Sequence, residues 1–232
     1  MGARGKGSAV VVSTSPVAII SPFDRGYWER FGSRFVDSIE ALTVKPQEVI
    51  VVTNADVNVP GWWTVVQYWD SRVWPCANIA VRRAESEWAT HLPVDDTMDP
   101  NFFDGLVLDG DAVNVAGRWE GGLCYGTLDQ YEGLLDLGHN GMPGLAVIKT
   151  AVWRKIPYRT HKYVDWVHWC ELRANGYRAT FDKMIRWTWQ RHDDAMTAKP
   201  DPQAEHEVRW FIQQLKTGRV IPGEEWPPAF RD

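Results

Sequence analysis

The stretches Val17-Ala-Ile-Ile-Ser-Pro-Phe-Asp-Arg25 and Glu48-Val-Ile-Val-Val-Thr-Asn-Ala-Asp56 share one pattern, a short continuous apolar run that stops at polar turn residues. Such a run, too short for a buried helix, predicts a strand covered on both faces. Between them Phe31, Phe35, Ile39 and Leu42 recur at helical spacing and Pro46 closes the segment, which predicts a helix from about Tyr27 to Leu42. Strand, helix and strand with short connections read as a right-handed βαβ unit and a parallel sheet. The fold class expected is α/β, with a mostly parallel central sheet flanked by helices.

Outward from this unit, residues 63–68 read as a third strand and Ala77 to Trp88 as a helix, before the acidic loop Pro93-Val-Asp-Asp-Thr-Met-Asp-Pro100. Phe102 to Leu108 reads as a helix, Ala112 to Ala116 as a strand, and Trp119 to Tyr131 carries no clear period. Asn140-Gly-Met-Pro-Gly144 is a turn cluster before a short strand at Leu145 to Ile148. Val164 to Ala174 reads as a helix closed by Asn175-Gly176, and Glu205 to Leu215 as an amphipathic helix with a Pro-rich tail. The organisation expected is a flexible N-terminus over 1–15, one domain over 16–192, and a C-terminal extension over 193–232.

The chain has 232 residues, 24% charged and 44% hydrophobic, enough for a full core, and no apolar run approaches the roughly 18 residues of a membrane span. Twenty-five Lys plus Arg against thirty Asp plus Glu leave a net charge of -5, which argues against bulk attraction to nucleic acid but not against a local basic patch. Cys76, Cys124 and Cys170 are widely spaced and odd in number, the pattern of a cytoplasmic chain. Fourteen Trp without a period suit core packing as well as stacking on bases or sugars.

In a parallel α/β sheet, ligands bind beyond the carboxyl ends of the strands, where the loops at Pro22 to Arg25, Thr53 to Asp56 and Asp95-Asp96 fall. Adjacent carboxylates there are hard oxygen ligands for Mg or Mn; the alternative is a solvated acidic turn. Asp109-Gly-Asp111 also has two carboxylates, but Asp-Gly makes an ordinary turn, and that reading is preferred.

These residues, taken in order, resemble the family-2 glycosyltransferases with the GT-A fold. Val17 to Arg25 is similar to that family's opening strand and loop, and Glu48 to Asp56 to its second strand. Asn78-Ile-Ala-Val-Arg-Arg-Ala84 followed by Trp88 to Asp96 resembles its helix leading into the DxD loop. The resemblance implies a Rossmann-like GT-A domain whose donor site draws on Pro22, Phe23, Asp24, Arg25, Thr53, Asn54, Asp56, Asn78, Arg82, Asp95 and Asp96. Pro93 replaces the first Asp of the usual DxD, leaving Asp95 and Asp96 for metal and nucleotide sugar. The acidic residue that often follows the second strand is displaced to Asp56.

In the second half the resemblance implies an acceptor side made by Gly141, Met142, Pro143, Gly144 and Trp166. Val164-Asp165-Trp166 resembles the Glu-Asp motif, so Asp165 is the expected catalytic base; the alternative is that it only favours the helix dipole. His192 matches the C-terminal His that completes a metal shell with Asp95. The implied reaction is inverting transfer of a sugar from a UDP- or GDP-linked donor, with Mn or Mg, to a glycan, protein or hydroxylated DNA base. The run Lys149, Arg154, Lys155, Arg159 and Lys162 is read as a solvated face or as a grip on an anionic acceptor such as DNA. The missing Asp leaves a second reading, a degenerate GT-A-like domain that binds a nucleotide or glycan without transfer.

Overall fold

The computed structural model describes residues 14–70, 72–142, 145–159, 163–190, 192–193 and 201–219. The opening unit consists of β1 (Thr14–Phe23), α1 (Arg25–Glu40) and β2 (Lys45–Thr53). Helix α1 starts two residues before the expected Tyr27 because Asp24 caps it, its Oδ1 accepting the Tyr27 N–H at 2.9 Å. Pro46 lies inside β2, paired with Ser15 of β1 on a stretch that the next strand does not reach, so its missing N–H costs no sheet bond.

The chain continues through β3 (Thr64–Gln67), α2 (Val73–Arg83), β4 (Trp88–His91), β5 (Thr97–Met98), β6 (Ala112–Trp119) and β7 (Gly122–Cys124). Then come α3 (Leu128–Glu132), α4 (Leu134–Leu137), β8 (Leu145–Lys149), α5 (Thr150–Lys155), α6 (Val164–Ala174), β9 (Ala179–Thr188) and α7 (Pro202–Thr217). Nine strands form one sheet in the order β3-β2-β1-β4-β8-β6-β9-β5, with β7 paired to β6. Strands β1, β2, β3, β4, β6 and β9 run the same way; β8, β7 and β5 oppose them.

Two apolar layers sandwich the sheet. Val17, Ile19 and Phe23 of β1 face Phe35 and Ile39 of α1, whereas Ala18 and Ile20 face Ala77, Ala80 and Val81 of α2. The α2 side also holds α6 and α7, through Trp169, Leu172, Phe211 and Leu215. Each such large side chain removed from water contributes about 1.5–3 kcal/mol, so both faces of β1 anchor the fold. Trp63, Trp88, Trp153, Trp166, Trp169 and Trp187 are buried, whereas Trp62, Trp69 and Trp210 are exposed.

Two expected helices differ. The helix predicted over Ala77 to Trp88 ends at Arg83, because Glu48 Oε1 takes the N–H of Glu85 and Ser86, and Trp88 opens β4 instead. Phe102 to Leu108 is a series of turns: Nη1 of the buried Arg186 faces the carbonyl oxygens of Asn101, Phe102 and Asp104 at 3.0, 2.9 and 2.8 Å. Those carbonyls converge on a guanidinium from β9, and the Asn101 carbonyl also closes a turn by accepting the Asp104 N–H at 3.0 Å. The unassigned 119–131 region forms β7 and α3. The C-terminal helix is longer than Glu205 to Leu215, beginning with Pro202 after the Asp201 cap. Residues 1–13 and 220–232, expected as flexible start and tail, lie outside the described residues.

Helix α7 is fastened to the α4 region. Its Arg209 donates to the Gly138 carbonyl and lies 5.7 Å over the Trp166 ring, and Lys216 reaches Asp136 at 2.5 Å. Gly138 closes α4 in the left-handed region, at φ 67°, which glycine adopts without penalty.

Candidate functional site

Sheet direction brings the site together. Strands β1, β2 and β4 finish at one end; β8, antiparallel to β4, begins there, and β9, parallel to β6, finishes there. The loop after β1 meets the loop after β2 where the Arg25 N–H donates to Asn54 Oδ1 at 3.1 Å. Thr53 is buried, its hydroxyl accepting the Ala55 N–H at 3.1 Å, and Asp56 is exposed just beyond.

Past β4 the chain turns at Pro93, whose carbonyl accepts the Asp96 N–H, and presents Asp95. Oδ2 of Asp95 lies 2.9 Å from Nε2 of His192, each side chain 13% exposed. Arg34 of α1 donates to the Asp95 carbonyl at 2.6 Å, and the His192 ring packs against Phe31 at 4.9 Å. Asp96 turns inward: it is buried, and its Oδ1 accepts the Gln190 N–H at 2.9 Å. Burial, then the neighbouring Asp95 charge, hold its carboxyl well above the usual range. Asp96 thereby ties the acidic loop to the segment after β9. One carboxylate oxygen and one imidazole nitrogen converge, a donor set that suits Mn or Mg whose other ligands are phosphate oxygens. Among the described residues no group of three or more His, Cys, Asp or Glu forms a metal site.

The second half of the site starts at Tyr163, which precedes α6 with φ 57°, a left-handed conformation uncommon outside glycine and frequent where side chains are aimed for function. Two residues on, Asp165 receives a hydrogen bond from Asn140 Nδ2 to Oδ2 at 2.7 Å. Burial raises its carboxyl above the ordinary value; the Trp166 N–H and the Asn140 amide act in the opposite sense. Tyr158 lies close enough to feel that charge, in a ring cluster with Trp153, His168 and His91 at centroid distances of 4.9, 4.9 and 5.8 Å.

The other expected site residues sit as follows. Asn78 is buried, and its amide makes both hydrogen bonds to the Tyr158 backbone, at 2.7 and 2.9 Å, so it positions that loop. Phe23 belongs to the core, stacked 5.0 Å from Trp28, and Pro22 is buried in β1 beside it. Arg82 lies in the last turn of α2, which leads to the start of β4 at the opposite end of the sheet. Gly141, Met142 and Trp166 are buried as packing, while Pro143 and Gly144 lie outside the described residues.

The basic run does not form one face. Lys149 pairs with Asp111 at 3.4 Å, Arg154 donates to the carbonyls of Val81 and Ala84, and Arg159 is buried against Glu171 at 2.8 Å. Lys155 is exposed and Lys162 lies outside the described residues. Asp109-Gly-Asp111 is a turn, with Gly110 at φ 77° and Asp109 paired to Arg178 at 2.6 Å. Tyr158, Tyr163 and His91 were not expected at the site, and Asn140 only as the first residue of the acceptor-side turn cluster, with no partner assigned; their partners lie far away in sequence or depend on backbone geometry.

No family model matches the chain, and no curated protein matches it in sequence. Among solved structures it is similar to S. aureus TarS 1-349 in complex with UDP-GlcNAc, at 14% identity and a TM-score of 0.63. The match covers 88% of this chain and 66% of that one, so the chain spans just under two thirds of that relative. The catalytic domain of Drosophila beta1,4-galactosyltransferase 7, in complex with xylobiose, aligns at 12% identity and TM-score 0.53, covering 85% of this chain and 80% of that one. Mannosyltransferase PcManGT from Pyrobaculum calidifontis, in complex with GDP-Man and Mn2+, aligns at 18% identity and TM-score 0.51, covering 97% and 71%. Strand order, converging loops and these likenesses lead to one conclusion: the chain has the GT-A fold of nucleotide-sugar transferases.

Proposed function

We propose that the chain is an inverting glycosyltransferase that moves a sugar from a UDP- or GDP-linked donor to an acceptor hydroxyl. The observation that carries this reading is the juxtaposition, at one end of a GT-A sheet, of the Asp95–His192 pair and the Asp165–Asn140 pair. The three solved relatives add support, two being complexed with UDP-GlcNAc and with GDP-Man.

Asp165 takes the acceptor hydroxyl proton while that oxygen attacks the anomeric carbon from the face opposite the leaving diphosphate. A carboxylate whose proton affinity is raised by burial is a stronger base for that transfer than one in water. The loops around Arg25 and Asn54 receive the nucleoside. Asp95 and His192 would hold Mn or Mg, which when bound neutralises charge on the diphosphate.

A glycan, a protein and a hydroxylated DNA base all remain acceptor classes for this reading. The burial of Arg159 against Glu171 and the bonds of Arg154 to the Val81 and Ala84 carbonyls favour the uncharged ones. Among the described residues no helix is long and apolar enough to cross a membrane, and three buried free thiols fit a cytoplasmic setting.

The test is a panel of nucleotide sugars with Mn or Mg, reading both thermal stabilisation and release of nucleoside diphosphate. Stabilisation by one donor together with its slow hydrolysis supports the transferase. Stabilisation without any hydrolysis supports the second reading, favoured by Pro93 in the acidic loop, of a domain that binds without transfer.

A further inference from the structure

Asn140 lies in the loop between Gly138, held by Arg209 of α7, and the start of β8. Its side chain is fixed at both ends. The amide oxygen accepts the Met142 N–H at 3.0 Å, which leaves the NH2 group pointing at Oδ2 of Asp165, 2.7 Å away. An acceptor bond on Oδ1 and a donor bond from Nδ2 exclude the flipped amide, which would set two donors together and two acceptors together.

We propose that Asn140 is the positioning residue of the base: its amide, itself held by the Met142 N–H, fixes the orientation of the Asp165 carboxylate at the start of α6. This rests on the reading of Asp165 as base in a glycosyl transfer.

Against burial stand the Trp166 and Asp165 backbone N–H groups and, as a side chain, Asn140. From the loop before α6, Tyr158 feels the Asp165 charge, as does Cys170 on α6 itself. From α7, Glu205 meets the Tyr163 hydroxyl at 3.4 Å and Arg209 covers Trp166, while Lys216 is paired with Asp136 of α4. Among the described residues, no cation is paired with Asp165. The amide N–H thus does by hydrogen bonding what a neighbouring positive charge does elsewhere.

The sign follows. Without the donor the acid holds its proton to higher pH, so the acidic limb of kcat/KM moves upward and activity returns at alkaline pH. Asn140→Ala is expected to lose activity on the acidic side of the profile, by up to about tenfold for a limb raised by about one pH unit, and to lose little at alkaline pH. Asn140→Asp keeps an oxygen for the Met142 N–H and sets a second carboxyl against Asp165, so its limb moves further in the same direction.

The experiment records pH profiles of transfer for full-length wild type and both variants, with a carboxyl NMR titration of Asp165 identified by its loss in Asp165→Asn. A raised titration and a raised limb support the proposal. Equal losses at every pH, with the Asp165 titration unmoved, overturn it and leave Asn140 as loop packing. A raised titration in a protein whose Asp165→Asn variant still transfers fully overturns Asp165 as base, and the catalytic meaning of Asn140 with it, while the coupling between the two side chains stands.

Discussion

Nε2 of His192 and Oδ2 of Asp95 stand 2.9 Å apart although 97 residues separate them, so the segment after β9 closes directly on the loop after β4. If the pair holds the divalent cation, Asp95→Ala is expected to lower kcat/KM by about 100-fold or more and abolish Mn-dependent stabilisation by the donor. His192→Ala keeps one ligand and is expected to lose about 10–100-fold. Thermal shifts with and without chelator, beside steady-state rates, check both; unchanged Mn dependence in Asp95→Ala would remove it from the metal site.

Asp165→Asn keeps size and hydrogen-bonding capacity but cannot accept the acceptor proton. Transfer is expected to fall by about 10²–10⁴-fold, with donor affinity within about threefold of wild type. Single-turnover rates and donor titration separate these, and near-normal transfer would exclude Asp165 as base.

Arg159 and Glu171 form an ion pair with side chains 4% and 0% exposed, directly after the Tyr158 position that Asn78 pins. Glu171→Gln strips the charge from one partner and leaves a buried guanidinium, at an expected cost of about 3–5 kcal/mol. Urea unfolding measures it. A loss under 1 kcal/mol would mean that water reaches the pair.

His168 and His91 are held neutral by burial, their pKa values pushed down to about 3 and about 4. The unfolded chain protonates each near 6.5, so between pH 6.5 and 4 the unfolded state binds more protons and stability falls as pH falls. Each contributes a slope approaching about 1.4 kcal/mol per pH unit below 6.5. His168→Phe is expected to remove one of the two slopes, read from unfolding free energies at pH 7 and 5; an unchanged slope would place a proton on the native imidazole.

The sequence made the opening unit legible because its signals are local: Val17 to Ile20 and Val49 to Val52 have the composition of buried strands, and Asp24 stands where a cap is needed. The same holds for α6, bounded as expected at Val164 and Ala174. Long-range partners were not legible. Nothing in Phe102 to Leu108 announces that Arg186, more than eighty residues later, will take its carbonyls. Asn78 reads alike whether its amide meets a nucleotide or the Tyr158 backbone. Arg154 and Arg159 looked like part of a charged surface because composition cannot tell a solvated cation from one spent on a carbonyl or a buried Glu. Asp95, His192 and Asp165 are legible only as an ordered series; Asn140 is legible as part of the acceptor-side turn cluster but not as the partner of Asp165.

The fastening of α7 bears on how the protein is made. The sheet is complete once β9 has been synthesised, whereas Arg209 and Lys216, which hold the Gly138 region beside the Asn140 loop, are translated afterwards. A chain stopped after Asp193 keeps Asp95, Asp165, Asn140 and His192 but lacks the clasp, and is expected to bind donor yet transfer poorly, which ribosome-released fragments would reveal. Order of synthesis thus separates crevice from clasp: a nascent chain acquires its sheet first, and α7 fastens the Asn140 loop only afterwards.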